Sequence, residues 1–162
     1  MPSTGQTQFS VRAAYDSGAC VLDVRGELEI STVDSLQPAI EAALSATGPV
    51  VVDLCAVSFL DSQGLYALLV FRERLREQDR DLAIACWPDG AVALLFRVSG
   101  TDRLFVLRPS REAAIAAVVA AVPTPRESLA VEGLRWWVGQ VVWTLRTGER
   151  LVGYARRTLS PR

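Results

Sequence analysis

Three short apolar runs, each followed by a segment with helical periodicity, constrain the fold of this chain more than any other feature of its sequence. The runs occupy residues 50–54, 82–86 and 104–106. The first of them, VVVDL, is almost continuously apolar, which suits a strand buried on both faces. Strands that alternate with helices in this way predict an α/β fold whose strands are mostly parallel.

A β-hairpin is predicted ahead of this alternation. Residues 9–14 and 20–25 are β-prone runs, and the DSG segment at 16–18 between them is a typical turn signal. Residues 26–29 are expected to leave the second strand. The predicted architecture is therefore a mixed, mostly parallel sheet that opens with a hairpin and is flanked by helices.

Capping residues predict where the helices begin. Residues 31–34 resemble a capping box for a first helix, and a second helix is predicted over 65–77. Asp89 is expected to cap a third helix, and Ser110 is expected to cap a last, alanine-rich one.

The composition excludes several classes of enzyme. The chain has no histidine, which removes Ser-His-Asp and Cys-His catalytic arrangements and every His-ligated metal site. Its basic residues are all arginine, so no lysine is present as a catalytic base or as the phosphate-binding lysine of a Gly-rich loop. Cys20, Cys55 and Cys86 lie within apolar runs and are expected to be buried, reduced thiols. We expect a protein without catalytic activity, cofactor or metal.

Charge and hydropathy bear on partners and location. The 17 basic and 18 acidic residues nearly balance, which argues against a nucleic-acid-binding protein. Arg72, Arg76 and Arg80 recur at helical spacing and are interpreted as a solvated basic stripe. No apolar stretch approaches the ~20 residues that span a bilayer, and the polar segment 1–8 lacks the features of a signal peptide. A cytoplasmic protein is expected.

Charge also divides the chain into two parts. Residues 1–122 hold 10 arginines and 15 acidic residues (−5), whereas residues 123–162 hold 7 arginines and 3 acidic residues (+4). At the junction, Pro123 and Pro125 cannot both continue the preceding helix. We therefore predict a domain over 1–122 and a C-terminal extension over 123–162.

The extension is rich in tryptophan and arginine, and its conformation is left open between a helix and a hairpin. Leu134, Val138, Val141 and Leu145 would share one helical face. Such a segment would dock on its own domain, contact a partner or a second copy of the chain as a homodimer, or lie in a membrane interface. Docking on its own domain is the interpretation that we favour.

The FLDSQGL segment at residues 59–65 is the most informative in the chain. An apolar run ends in Asp61 and Ser62, and a helix follows at once. Ser62 is expected at or next to the helix N-cap, where free N–H groups and the helix dipole favour a phosphate on its hydroxyl. Gly64 would let another backbone approach closely. An ordinary Asp-Ser helix cap explains the same residues without any further function.

Segments in a fixed order extend this pattern along the chain. They are GELE at 26–29, VVDL at 51–54, FLDSQGL at 59–65, and GTDRLF at 100–105, which is followed by Pro109 and Ser110. Together they resemble the STAS family, and specifically its stand-alone bacterial anti-sigma factor antagonists. FLDSQGL is similar to the family's D-S-x-G-L phosphorylation motif, and the resemblance covers about residues 8–121.

The resemblance implies the STAS fold and a switch protein that is not an enzyme. In that family an anti-sigma factor, which is also a GHKL-type serine kinase, holds a sigma factor inactive. The unphosphorylated antagonist binds it and frees the sigma factor; phosphorylation of a serine breaks this binding, and a serine phosphatase restores it.

Site residues follow from the same resemblance. Ser62 would be the phosphoacceptor, and Glu29, Asp61, Ser62 and Gly64 would bind the partner. Glu29 stands where the family usually has aspartate, and Asp53 is expected to support a cap or a turn. The alternative is a STAS scaffold or ligand-sensing module of a larger signalling complex, in which Ser62 is not phosphorylated.

Overall fold

A five-stranded sheet forms the centre of the protein, and the computed structural model describes it within residues 8–120. The strands lie in the order of the sequence: β1 Ser10–Asp16, β2 Ala19–Leu28, β3 Val50–Leu60, β4 Leu82–Ala85 and β5 Val106–Arg108. β1 pairs antiparallel with β2, and all other neighbours are parallel. The predicted mixed, mostly parallel sheet is confirmed. The interpretations of the extension from 123 to 162 fall outside the described residues.

The hairpin that opens the sheet is confirmed, and its turn explains its register. Asp16 pairs with Ala19, so Ser17 and Gly18 alone form the turn. Both have positive φ, at 48° and 90°, as expected for a tight turn that matches the twist of the strands. The expectation that residues 26–29 leave β2 is wrong. The strand absorbs two register shifts, the second beside Gly26, and continues to Leu28.

Four helices connect and flank the strands: α1 Gln37–Ser45, α2 Ser62–Arg76, α3 Ala91–Val98 and α4 Arg111–Val119. The predicted capping box at 31–34 is wrong, because Val33–Leu36 forms a 3₁₀ turn and α1 begins only at Gln37. The Thr32 hydroxyl is already engaged elsewhere: it donates to the Glu27 carbonyl at 2.7 Å and accepts the Glu29 N–H at 3.0 Å.

Of the two other predicted caps, one is confirmed. The Ser110 hydroxyl accepts the Ala113 N–H at 3.3 Å at the start of α4. Asp89 does not cap α3, whose N-cap is Gly90 without a side-chain hydrogen bond. The last strand is also shifted from its predicted place, because Phe105 is buried against Phe96 of α3, with ring centroids 5.2 Å apart, and β5 starts after it.

Side chains alternate between the two buried faces of the sheet. The face under α4 carries mainly small residues, which let the helix pack closely. This cluster consists of Ala19, Val21, Val51, Ala83 and Ala85 together with Ala114, Ile115 and Val118 of α4. Larger side chains such as Leu22 and Ile84, both fully buried, lie on the opposite face. Because β2 to β5 are parallel, α2, α3 and α4 all begin at the carboxyl edge of the sheet.

Within residues 8–120, no helix is long and apolar enough to cross a membrane. The three cysteines are free thiols, with Cys20 and Cys86 buried and Cys55 partly buried. Burial raises the pKa of all three, and that of Cys55 reaches about 12 because the Asp53 carboxylate adds to the effect of burial. The expectation of buried, reduced thiols is thus confirmed for two of them, and Cys55 is half-buried.

Candidate functional site

The residues singled out in FLDSQGL lie where β3 ends and α2 begins. Asp61 is the N-cap of α2, and Ser62 is its first residue. The loop that leaves the neighbouring strand β2, residues 29–32, lies beside this helix terminus, because the Ile30 N–H donates to the Asp61 carboxylate at 3.0 Å. The segments that follow the adjacent strands β2 and β3 therefore meet at one site.

The Asp61 carboxylate organises this site. Its Oδ1 accepts the N–H groups of Gln63 and Gly64 at 2.8 and 2.9 Å, which caps α2. Its Oδ2 accepts the Ile30 N–H, and its own N–H donates to the Leu28 carbonyl at 3.2 Å. Asp61 thus joins the end of β2, the loop and the helix, so its role as a cap is confirmed.

Ser62 presents its hydroxyl at the N-terminus of a 15-residue helix. The side chain is half-buried, and its hydroxyl makes no hydrogen bond to any residue between 8 and 120. The first turn of α2 contains no acidic residue, so the positive end of the helix dipole is opposed only by the Asp61 cap. An attached phosphate would meet a favourable dipole and one like charge.

Gly64 is buried, and the close approach predicted for it occurs within the chain. A Cβ at this position would lie 2.6 Å from Leu60 Cδ1 and 2.7 Å from the Leu28 carbonyl oxygen. The absence of a side chain therefore lets α2 pack directly on the ends of β2 and β3. A contact between Gly64 and a partner stays a prediction.

Glu29 lies in the loop that Asp61 holds against α2. Its carboxylate accepts the Ser31 hydroxyl at 2.6 Å, and its carbonyl accepts the N–H groups of Thr32 and Val33 at 2.9 and 2.8 Å. The side chain is half-buried. The structure thus brings Glu29, Asp61 and Ser62 to the same edge of the sheet, and their contact with a partner stays a prediction.

Two exposed apolar side chains flank the site and were not predicted. Ile30 is 62% exposed and Phe59 is 47% exposed, and they lie in the segments on either side of Asp61. They add exposed apolar surface next to the polar N-terminus of α2. Sequence reasoning assigned Phe59 to the apolar approach to Ser62, where a buried position is the ordinary expectation.

Asp53 supports the chain in a way that the sequence only partly predicted. Its Oδ1 accepts the Cys55 N–H at 3.0 Å, a local turn contact. Its Oδ2 pairs with Arg111 of α4 at 2.7 Å, and the same guanidinium pairs with Asp23 of β2 at 2.9 Å. Burial alone would raise the pKa of Asp23, but hydrogen bonds from Arg25 and Arg111 hold it below its ordinary value. This cluster ties α4 to the sheet.

The predicted basic stripe on α2 is wrong. Arg72 is only 5% exposed. Arg80 lies beyond the end of α2, and its guanidinium donates to the carbonyls of Ala43, Leu44 and Gly48 at 3.0, 3.2 and 2.7 Å. Ala43 and Leu44 lie in the last turn of α1 and Gly48 follows it, so Arg80 supplies donors that a helix C-terminus lacks.

In the described part of the chain, no group of three or more His, Cys, Asp or Glu side chains is placed to hold a metal ion. The Asp61–Ser62 site itself consists of one carboxylate, one free hydroxyl and backbone amides. The Asp61 carboxylate accepts three backbone N–H groups, those of Ile30, Gln63 and Gly64.

Comparison with known proteins agrees with this geometry. The STAS domain family matches residues 10–114. An anti-sigma factor antagonist from Mycobacterium paratuberculosis is 29% identical, with a TM-score of 0.63 over 69% of this chain and 95% of that one. No curated protein sequence matches significantly.

Two more distant structures share the fold. The anti-sigma factor antagonist SpoIIAA in its unphosphorylated form is 23% identical, with a TM-score of 0.56 over 72% of this chain and 100% of that one. The Bacillus cell fate determinant SpoIIAA in the phosphorylated form is 21% identical, with a TM-score of 0.50 over 68% and 98%. The match to the STAS domain family spans well over half of the residues of this chain, so the chain belongs to that family.

Proposed function

We propose that this protein is an anti-sigma factor antagonist that phosphorylation of Ser62 switches off. In its unmodified form it binds an anti-sigma factor that is also a GHKL-type serine kinase, and thereby releases a sigma factor in the cytoplasm. A serine phosphatase resets the switch. The similarity to structures of anti-sigma factor antagonists supports this role.

The observation that carries the proposal is the free Ser62 hydroxyl at the start of α2. Asp61 already satisfies the helix amides of Gln63 and Gly64, so Ser62 is not needed as a cap. The Ser62 hydroxyl has no hydrogen-bond partner within residues 8–120, and Ile30 and Phe59 beside it are exposed; both observations support recognition of Ser62 by a kinase at a contact surface. Glu29 lies on the same surface, within the loop that contacts Asp61.

Electrostatics explains how one phosphate would act as a switch. Phosphorylation adds a charge of about −1.5 to −2, next to the Asp61 carboxylate. At a surface that must be desolvated on binding, this charge is repelled by the Asp61 carboxylate and loses its hydration. A loss of only ~2.8 kcal/mol of binding free energy weakens the complex about 100-fold.

The direct test is phosphorylation of the full chain. The protein is incubated with ATP and a candidate GHKL-type serine kinase, and its intact mass is measured. One added phosphate is expected on the wild type and on Ser58→Ala, a matched control at an exposed position of β3, and none on Ser62→Ala. Phosphate on the Ser62→Ala protein would contradict the assignment. A kinase that binds the chain but leaves Ser62 unmodified would favour the scaffold alternative.

A further inference from the structure

A second site lies on the α3 side of the sheet. A cleft of about 410 Å³ opens between α3, the segment that follows it and the carboxyl ends of β4 and β5. Its walls include the buried side chains of Cys86, Ala93 and Phe105 together with Leu107. A volume of this size matches the lower range of small-molecule sites in proteins.

Two arginines, Arg97 of α3 and Arg108 of β5, also line the cleft. Arg97 Nη1 donates to the Pro88 carbonyl at 2.7 Å, and because Pro88 lines the same cleft, this bond holds the guanidinium at its margin. Burial raises the pKa of the Cys86 thiol, and the Arg97 charge opposes that rise. The Arg97 charge is therefore close enough to influence Cys86, one of the buried residues that line the cleft.

Neither arginine has an acidic partner within residues 8–120. Arg97 makes one hydrogen bond, and Arg108 makes one, from Nη1 to the Leu107 carbonyl at 2.8 Å. Neither Arg97 nor Arg108 has a carboxylate oxygen of a described residue within 4.0 Å of its guanidinium nitrogens. A guanidinium has five N–H donors, so most donors of both arginines have no partner within residues 8–120. Among the described lining residues Asp102 is the single carboxylate, and two arginines against one carboxylate give this lining a net positive charge.

We propose that this cleft binds a small organic oxyanion, a carboxylate or phosphate ester carried on a compact apolar body. The guanidinium groups match the planar geometry of carboxylate and phosphate oxygens, and the apolar walls match the body. The proposal is independent of the switch at Ser62. It adds a ligand-binding capacity that a signalling module of this fold can use.

Phenyl phosphate is a suitable probe because it combines one phosphate with one aromatic ring. It is titrated into the full-length ¹⁵N-labelled protein, and amide shifts are followed by NMR. We expect saturable shifts at Ala93, Asp102 and Leu107, with a dissociation constant of a few millimolar or tighter, as expected for a ligand of about ten non-hydrogen atoms. Inorganic phosphate and benzyl alcohol should each bind more weakly, because each lacks one half of the recognised chemistry.

Matched variants identify the groups responsible. Arg97→Gln should weaken phenyl phosphate about tenfold, and Arg108→Gln serves the same purpose if the first variant is not folded. Arg103→Gln removes the same charge from an exposed residue outside the cleft lining and should bind as the wild type does. The proposal is overturned if the amides of Ala93, Asp102 and Leu107 show no saturable shift below 10 mM phenyl phosphate, about the weakest binding expected here. It is also overturned if Arg97→Gln and Arg108→Gln bind phenyl phosphate as well as Arg103→Gln does, or if benzyl alcohol binds as well as phenyl phosphate.

Discussion

Replacing Gly64 by alanine should destabilise the protein, although the same change stabilises most helices. Alanine is favoured over glycine inside a helix by about 1 kcal/mol. Here the new Cβ would lie 2.6 Å from Leu60 Cδ1, 2.7 Å from the Leu28 carbonyl oxygen and 2.8 Å from Leu28 Cγ. The Leu28 carbonyl cannot easily yield, because it accepts the Asp61 N–H.

The net effect follows from these opposing contributions. Overpacking of a tight site costs about 1–3 kcal/mol, and a rigid backbone oxygen places Gly64→Ala in the upper part of that range. After the helix-propensity gain, we expect a loss of about 1–2 kcal/mol, which lowers the melting midpoint of a domain of this size by about 5–10 °C. A shift of α2 away from Leu28 would also lengthen the bonds from Gln63 and Gly64 to the Asp61 cap.

Thermal and urea unfolding of the full chain, followed by circular dichroism, measure this loss. The reverse substitution in the same helix, Ala67→Gly, is the control, because it reports the propensity contribution at a half-buried position without a clash. Gly64→Ala and Ala67→Gly should therefore both destabilise the protein, although they are opposite substitutions. A Gly64→Ala midpoint equal to or above that of the wild type would show that α2 moves freely, and would refute the role given to Gly64 in fixing the site.

Three further predictions concern the switch, the charge cluster and the extension. Ser62→Ala should bind the anti-sigma partner constitutively, whereas Ser62→Asp should bind more weakly in calorimetry; equal affinities would exclude an electrostatic switch. Arg111→Met should lose about 1–3 kcal/mol at pH 7. The pKa of Asp23 is lowered in the folded state, so the stability that its ion pairs contribute is present above about pH 4 and lost below it. On acidification the Arg111→Met variant should therefore lose less free energy of unfolding than the wild type does. Parallel profiles of stability against pH would contradict this. Truncation after Ala121 should leave a cooperatively melting domain with a lower midpoint or new self-association, and an unchanged midpoint in a monomer would show that the extension does not dock.

The sequence predicts those parts of the fold that depend on neighbouring residues. The hairpin turn at Ser17 and Gly18 and the Ser110 cap are decided within a few residues, and both are confirmed. The start of α2 at Ser62 is equally local. The capping box predicted over residues 31–34 does not form: the Thr32 hydroxyl bonds to the carbonyl of Glu27, which remains in β2 beyond the expected end of that strand.

The missed features depend on residues that are distant in the chain. Arg111 contacts Asp53 across 58 positions, and Arg80 reaches carbonyls more than 30 residues away. Periodicity places an arginine on a helix but does not show that another element supplies its partners. The exposure of Phe59 likewise depends on the packing of neighbouring elements, so the apolar part of the candidate surface was visible only in the structure.

The two carboxylate oxygens of Asp61 give this residue a structural role that Ser62, the next residue, does not share. One oxygen holds the helix and the other holds the loop after β2, so selection for a folded domain is enough to retain an aspartate there. Under the proposed function, a chain without the switch could change Ser62 and still keep Asp61. An aspartate at position 61 is therefore explained by the fold alone, whereas the regulation proposed here depends on the serine that follows it.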